Sequence, residues 1–181
     1  EAVKNTGLQF PEAYKNGEQM VQLAQVIKNY ENASFCMLPF CHTVEGEALG
    51  GSINYGDENY GPRVKEYVLS APEELLILPE IDYTAGRISE VLKACRTLRD
   101  TGENVVLEIT GPFTAMNVLI DPRIVFKTFR KNPNSMHAIF SKFQAELLRY
   151  VEKAVSSGVN LISYADPSGG LNILGPKMME Q

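Results

Sequence analysis

Cysteine is scarce in this sequence, with three residues among 181. An odd number cannot all pair within one chain, and Cys95 lies in a stretch with helical periodicity, so the cysteines do not indicate a disulfide framework. This usage favours a reducing compartment, and we expect a cytoplasmic protein. No apolar run approaches the roughly 18 residues of a membrane-spanning helix, so we expect no membrane partner.

An excess of positive charge is also missing. Charged residues make up 22% of the chain, and the formal net charge is −5. Nucleic-acid binding requires clustered positive charge, so we expect no nucleic-acid partner. Hydrophobic residues make up 44%, which is typical of a globular protein. The length predicts a single domain over residues 1–181.

Two common nucleotide-binding motifs are absent as well. No G-x-G-x-x-G follows the first predicted strand, so nothing indicates a dinucleotide-binding fold. The chain also has no P-loop sequence for cradling phosphates. The search for chemistry therefore turns to the ends of the predicted strands.

Apolar periodicity predicts strands that alternate with helices. Strands separated by helices must run parallel, because the crossover returns each strand in the same direction. Two architectures remain open: a doubly wound sheet, or about half of a TIM (β/α)8 barrel, since a complete barrel needs about 250 residues. Helices are predicted over residues 12–30, 83–100 and 135–156, and another is predicted to begin at Asp121-Pro122. Ser70 to Glu73 fits a capping box. Strands are predicted over residues 35–38, 52–55, 105–109 and 159–163.

Polar side chains follow three of these strands, and loops after buried strands commonly carry chemistry. We therefore expect one shared pocket at the strand ends. Its candidate residues are Cys41, His42 and Glu45 after the first strand, Tyr55 in a glycine-rich segment, Thr114 and Asn117 after the strand at 105–109, and Tyr164 and Asp166 after the last.

Several of these residues have a simpler structural interpretation. Glu45, Thr114 and Asn117 are also suited to capping helices, and Tyr55 to ordinary loop packing. Glu47 is expected to be a solvated carboxylate at a helix start. Glu108 lies inside a strand, where a carboxylate is costly unless it is paired, so we expect it to point inward and bond a neighbouring strand.

Three motifs resemble those of a known family. The segments PFCHTVEGEALGG, EITGPFT and SYADPSGGLNILGP are similar to the uroporphyrinogen decarboxylase superfamily, and more closely to its corrinoid-dependent methyltransferases of the methylcobamide:coenzyme M type. The resemblance implies a (β/α)8 barrel of about twice this length. Because the chain begins at Glu1 without methionine, we expect a fragment of a longer protein. Because the family's metal ligands are missing from it, we expect the fragment to be inactive alone.

The superfamily contains two chemistries, and one position helps to choose between them. In the decarboxylases an aspartate contacts the pyrrole N–H groups of the substrate, and this position falls on Cys41. A thiol is a weak acceptor for such donors. The decarboxylase tyrosine falls near Val118 and its serine near Pro167, so the resemblance favours methyl transfer over decarboxylation of a tetrapyrrole.

The methyltransferase resemblance implies cofactors and partners. The methyl group would move between a methylated corrinoid (cobalamin) on a partner protein and a small-molecule acceptor, either a thiol or a tetrahydropterin. The family's zinc is held by a His-x-Cys pair and a distant cysteine, but Val44 and Ile139 stand two residues after the chain's histidines. We therefore expect no metal ligands in this chain.

A further alternative is a non-catalytic half-barrel that acts as an assembly module. An open half-barrel exposes unpaired strand edges and an apolar face. We therefore expect self-association, or closure by the missing half of the barrel.

Overall fold

The computed structural model describes residue 3 and residues 6–180, with the side chain of residue 178 left out. The helices are α1 (Gly17–Glu31), α2 (Val44–Ala48), α3 (Gly86–Asp100), α4 (Pro112–Leu119), α5 (Pro122–Lys131), α6 (Pro133–Ser156), α7 (Leu171–Leu174) and α8 (Pro176–Met179). The strands are β1 (Cys36–Leu38), β2 (Ser52–Asn54), β3 (Arg63–Glu66), β4 (Val105–Thr110) and β5 (Leu161–Ala165). In this part of the chain, no helix combines the length and the apolar character that crossing a membrane requires.

The central sheet contains three parallel strands in the order β1-β4-β5. Leu38 pairs with Leu107, and Ile109 pairs with Tyr164, so the carboxyl ends of the strands lie at one edge. The spatial order follows the chain order, with helices between successive strands. This is the pattern of neighbouring strands in a (β/α) barrel, whereas a doubly wound sheet reverses its order.

The main helices cover one face of this sheet. Leu38 and Leu107 are fully buried there, in a core shared with Val91 of α3 and Phe143 of α6. On the opposite face Leu161 is 56% exposed. In a barrel, helices pack on the outside of the strands and the other face turns inward. The open face therefore corresponds to a barrel lumen.

The segment after α2 forms a short β-hairpin, and the sequence predicts only its first strand. Strand β2 pairs with the antiparallel strand β3, and β3 was not expected. The reason lies in its composition: in Arg63–Glu66 only the side chain of Val64 is even partly buried, so the segment has no apolar pattern. A hairpin after the first parallel strand is an excursion from the alternating strand and helix order.

Two further differences lie near the strand ends. Helix α4 was not predicted, although Pro112 occupies its first turn, where a missing N–H group costs little. Strand β5 extends over Leu161–Ala165 and not over 159–163, because its exposed residues blur the apolar signal that marks a buried strand. The shift puts Tyr164 inside the strand.

Cap positions are confirmed in one case and corrected in another. Asp121 accepts the Arg123 N–H at 2.9 Å at the start of α5, as predicted. The predicted Ser70–Glu73 capping box is wrong by one residue, because Glu74 accepts the Ala71 N–H at 2.7 Å. A short 3-10 helix, Pro72–Ile77, begins at this point instead of an α-helix.

Candidate functional site

Polar groups collect where the parallel strands end. The segment after β1 carries Cys41 and His42, α4 after β4 carries Thr114 and Asn117, and Asp166 directly follows β5. Because the strands are parallel, all these groups belong to the same edge of the sheet. At that edge they separate into distinct clusters.

Arg87 in the first turn of α3 organises one cluster. Its side chain is only 3% exposed. Its Nε donates to Glu47 Oε2 at 2.6 Å, Nη2 donates to Thr43 Oγ1 at 2.7 Å, and Nη1 lies 3.2 Å from Cys41 Sγ. We call these four residues, together with Tyr55, the Arg87 cluster. It joins the β1 loop, α2 and α3.

Tyr55 extends this cluster to the end of β2. Its hydroxyl donates to Glu47 Oε1, and the Arg87 guanidinium lies 5.4 Å from the ring centroid. Burial, followed by the hydrogen bond to Glu47, raises the pKa of Tyr55 to about 12, so the phenol stays protonated as a donor. The prediction that Glu47 is a solvated carboxylate is wrong, because its side chain is 18% exposed and pairs with Arg87.

Cys41 and His42 point in different directions, as expected for adjacent residues. Cys41 Sγ lies 3.2 Å from Thr43 Oγ1 and faces the Arg87 guanidinium. A fixed positive charge at this distance opposes cation binding at the thiol. His42 instead turns Nδ1 towards Glu108 Oε1, 3.4 Å away.

Glu108 lies on the open face of the sheet, between the two neighbouring strand segments. Ser163 of β5, its register partner, places Oγ 3.4 Å from Glu108 Oε2. The carboxylate thus has a contact on each side, and its side chain is 20% exposed. The prediction of an inward-pointing carboxylate that bonds a neighbouring strand is confirmed.

Glu45 is buried between α2 and the sheet, at 1% exposure. Its Oε1 accepts the Thr110 N–H at 2.8 Å, and Oε2 has no hydrogen bond to any described residue. Burial raises the pKa of Glu45 to about 7, although the bond from Thr110 acts in the opposite direction. Glu45 therefore ties α2 to the last residue of β4.

Asp166 binds the amino-terminal turn of α4. Its Oδ2 accepts the Phe113 N–H at 3.1 Å, and its Oδ1 accepts the N–H and the hydroxyl of Thr114 at 2.9 and 2.7 Å. A Cβ on Gly111 would lie 2.4 Å from Asp166 Cβ, so only glycine fits there. Thr114 was predicted either to face a pocket or to cap a helix. In the structure it lies in the first turn of α4, and the residue that accepts hydrogen bonds from this turn is Asp166.

The two remaining candidate residues are Asn117 on α4 and Tyr164 on β5, the two elements that the Asp166 contact joins. Asn117 Oδ1 is buried and has no hydrogen-bond partner in the described part of the chain. Tyr164 is 63% exposed and lines an open cavity of about 510 Å³ together with Asp166, Phe113 and Phe140. The pocket roles of Asn117, Tyr164, Thr114 and Asp166 stay predictions.

The comparison with protein families decides the chain's membership. The model of the uroporphyrinogen decarboxylase (URO-D) family matches residues 1–181. The chain belongs to this family. The resemblance to the uroporphyrinogen decarboxylase superfamily is therefore confirmed.

The URO-D chain is also similar to methyltransferases. The methylcobamide:CoM methyltransferase MtaA of Methanosarcina barkeri (strain Fusaro / DSM 804) is 29% identical over 186 residues, covering 100% of this chain and 54% of the relative. The methylcobamide:CoM methyltransferase MtbA of Methanosarcina mazei (strain ATCC BAA-159 and synonyms) is 24% identical, with 100% and 54% covered. The chain spans about half the length of the curated relatives it matches.

A solved structure gives the same comparison. A methyltransferase from Methanosarcina mazei superposes with a TM-score of 0.89 at 26% identity, covering 99% of this chain and 54% of the other. The prediction of parallel (β/α) units that make up about half of a barrel is confirmed.

Sequence reasoning missed the most connected residue of the URO-D chain's candidate site. Arg87 brings Cys41 and Tyr55 into one cluster, but Arg87 itself stands in an ordinary helical pattern. No local signal marks it, because a basic residue beside a buried position of a helix is commonly exposed: Lys93 of α3 directly precedes a buried alanine, and its side chain is 59% exposed. Glu108 did give a signal, as a carboxylate inside an apolar run.

The described residues do not fit the zinc site that the family resemblance implies. Among residue 3 and residues 6–180, no three His, Cys, Asp or Glu side chains are grouped as metal ligands would be. Cys41 faces a guanidinium and His42 faces a single carboxylate. No chemical step through a metal is derived from these residues.

Proposed function

We propose that the protein containing this chain transfers a methyl group between a methylated corrinoid, carried by a partner protein, and a thiol or tetrahydropterin acceptor. The supporting observation is similarity along the whole chain to two methylcobamide:CoM methyltransferases and to a methyltransferase structure. The proposed site is the edge of the sheet at which β1, β4 and β5 end.

The Arg87 cluster argues against decarboxylation of a tetrapyrrole. Pyrrole N–H groups require hydrogen-bond acceptors, and an aspartate supplies them in the decarboxylases that this chain resembles. Here the matching position is Cys41, and Arg87 Nη1 lies 3.2 Å from its sulfur. A guanidinium offers only donors, so it would oppose the pyrrole N–H groups where the decarboxylase attracts them.

The partners follow from the same proposal. The corrinoid protein would dock over the carboxyl ends of the parallel strands, where the small acceptor would also bind. Cys41, His42, Tyr55 and Tyr164 lie at this edge and are the candidates for contact with either partner. Zinc, if the protein uses it, would need ligands from outside the described residues.

The test uses the full-length protein that contains this chain. It is mixed with methylcobalamin, or with a methylated corrinoid protein, and with coenzyme M or a tetrahydropterin. We expect the methylated acceptor to accumulate while the cobalamin absorption spectrum changes, with coenzyme M and the pterin as separate arms. A further arm supplies uroporphyrinogen, and its consumption without methyl transfer to either acceptor would overturn the proposal in favour of decarboxylation.

An assembly role is a second candidate, because apolar side chains are exposed both on α6 and on the open face of the sheet. Leu148, Val155 and Leu161 on α6 and β5 are 58%, 61% and 56% exposed. We expect the isolated 181-residue chain to associate in sedimentation velocity, and we expect less association of the full-length protein if further barrel units cover these side chains. A well-folded monomer of the isolated chain would contradict this prediction.

A further inference from the structure

Three polar side chains meet on the open face of the sheet, just below the edge where the strands end. His42 Nδ1 is buried and lies 3.4 Å from Glu108 Oε1, with no hydrogen bond formed to any described residue. Ser163 Oγ lies 3.4 Å from the second carboxylate oxygen. Glu108 is therefore the acceptor placed nearest to a ring nitrogen that water does not reach.

This placement determines which side of the imidazole is available. A carboxylate beside Nδ1 favours the tautomer that carries its proton on Nδ1, and Nε2 is then left with a free lone pair. The His42 side chain is 41% exposed although its Nδ1 is buried, so the accessible part of the ring is the Nε2 side. An imidazole held in this way presents a base to the barrel mouth.

We propose that His42 accepts the proton that the methyl acceptor loses, and that Glu108 is the positioning residue that orients the imidazole. The inference rests on the proposed methyl transfer. An acceptor thiol loses its S–H proton and a tetrahydropterin its N–H proton. The S–H or N–H bond breaks, and its electron pair forms the new bond from sulfur or nitrogen to the methyl group. The bond between the methyl group and the corrinoid donor breaks in the same transfer and its electron pair would stay on the donor, while the proton moves to His42 Nε2 and then to water.

Other candidate residues lack this combination of support and access. Glu45 is buried between α2 and the sheet, and both oxygens of Asp166 accept from α4. Cys41 is held against Arg87, and the Tyr55 phenol stays protonated. Of the residues predicted for the pocket, His42 has an ionisable group with a positioning partner on one side and solvent on the other.

The kinetic test uses His42→Gln and Glu108→Gln in the full-length protein, with methylcobalamin as donor and coenzyme M as the probe acceptor. General-base catalysis contributes about 100-fold or more, so His42→Gln should lower kcat by about 100-fold and remove one step from the pH–rate profile. Glu108→Gln should lower kcat by less than His42→Gln does, because glutamine still accepts from Nδ1–H but does not stabilise the protonated imidazole. The control is Glu152→Gln, an exposed carboxylate on α6, which should keep the wild-type kcat and pH–rate profile.

A spectroscopic arm separates this inference from the proposed function. In protein with 15N-labelled histidine, the His42 signals, assigned by their loss in His42→Gln, should show the Nδ1–H tautomer, and Glu108→Gln should shift them. A wild-type protein that transfers no methyl group would overturn the function and with it the base role. Methyl transfer that is unchanged in His42→Gln, or a His42 tautomer indifferent to Glu108→Gln, would overturn only this inference.

Discussion

Replacing Arg87 with methionine should lower the free energy of unfolding by about 3 kcal/mol, because removing one partner of a buried ion pair leaves the other without compensation. Arg87 is 3% exposed at its side chain, and three of its nitrogens contact Glu47, Thr43 and Cys41. Methionine fills a similar volume but provides no donor. Glu47 would then retain only the hydroxyl of Tyr55.

Urea denaturation of wild type and variants measures this effect. Arg87→Met combined with Glu47→Gln removes both charges, so the double variant should regain part of the lost stability. Arg123→Met is the matched control, because the Arg123 side chain is 90% exposed, and its denaturation midpoint should not move. An unchanged midpoint for Arg87→Met would show that the Arg87 cluster does not hold the β1 loop and the two helices together.

The parallel sheet was predictable because its strands are buried on the helix side. Val105, Leu107 and Ile109 on that side are at most 1% exposed, and Val106 on the other side is only 8% exposed. Burial on both faces selects the continuous apolar run that is visible in the sequence of β4. Strand β3 and the shifted end of β5 were less visible. Their residues are largely exposed, so burial leaves little pattern in them.

The sequence predicts where the candidate site residues lie, but it does not predict what each side chain binds. Position after a strand correctly placed Asp166 at the polar edge of the sheet. The same position is also where the next helix exposes unpaired backbone N–H groups, and Asp166 accepts two of those from α4. A local pattern does not distinguish an acceptor for a ligand from an acceptor for the backbone.

Long-range pairing was the least predictable feature. Arg87 contacts a carboxylate forty residues earlier in the chain, and Glu45 contacts an N–H sixty-five residues later. Neither pairing follows from helical or strand periodicity. Periodicity indicates which face of an element is buried, but it does not identify the residues that pack against that face. The family resemblance supplied the barrel order, but it did not assign these side-chain partners.

Glu45→Gln should change how stability depends on pH, with a total effect of roughly 3 kcal/mol. Burial raises the pKa of Glu45 from 4.5 to about 7 in the folded protein. Between these values the unfolded chain releases the proton while the folded protein keeps it. The wild type therefore loses stability as pH rises from 4.5 to about 7, and the loss is complete above that range.

Glutamine keeps the Oε1 acceptor for the Thr110 N–H and cannot ionise, so the variant should lack this loss. Urea denaturation at about pH 5 and about pH 8 measures it, because the remaining titrating groups contribute equally to both proteins and cancel in the difference. Glu152→Gln, an exposed position on α6, is the control and should follow the wild type. If the wild type and Glu45→Gln give parallel stability curves, Glu45 does not hold its proton in the folded state, and the tie between α2 and β4 is made by an ionised carboxylate.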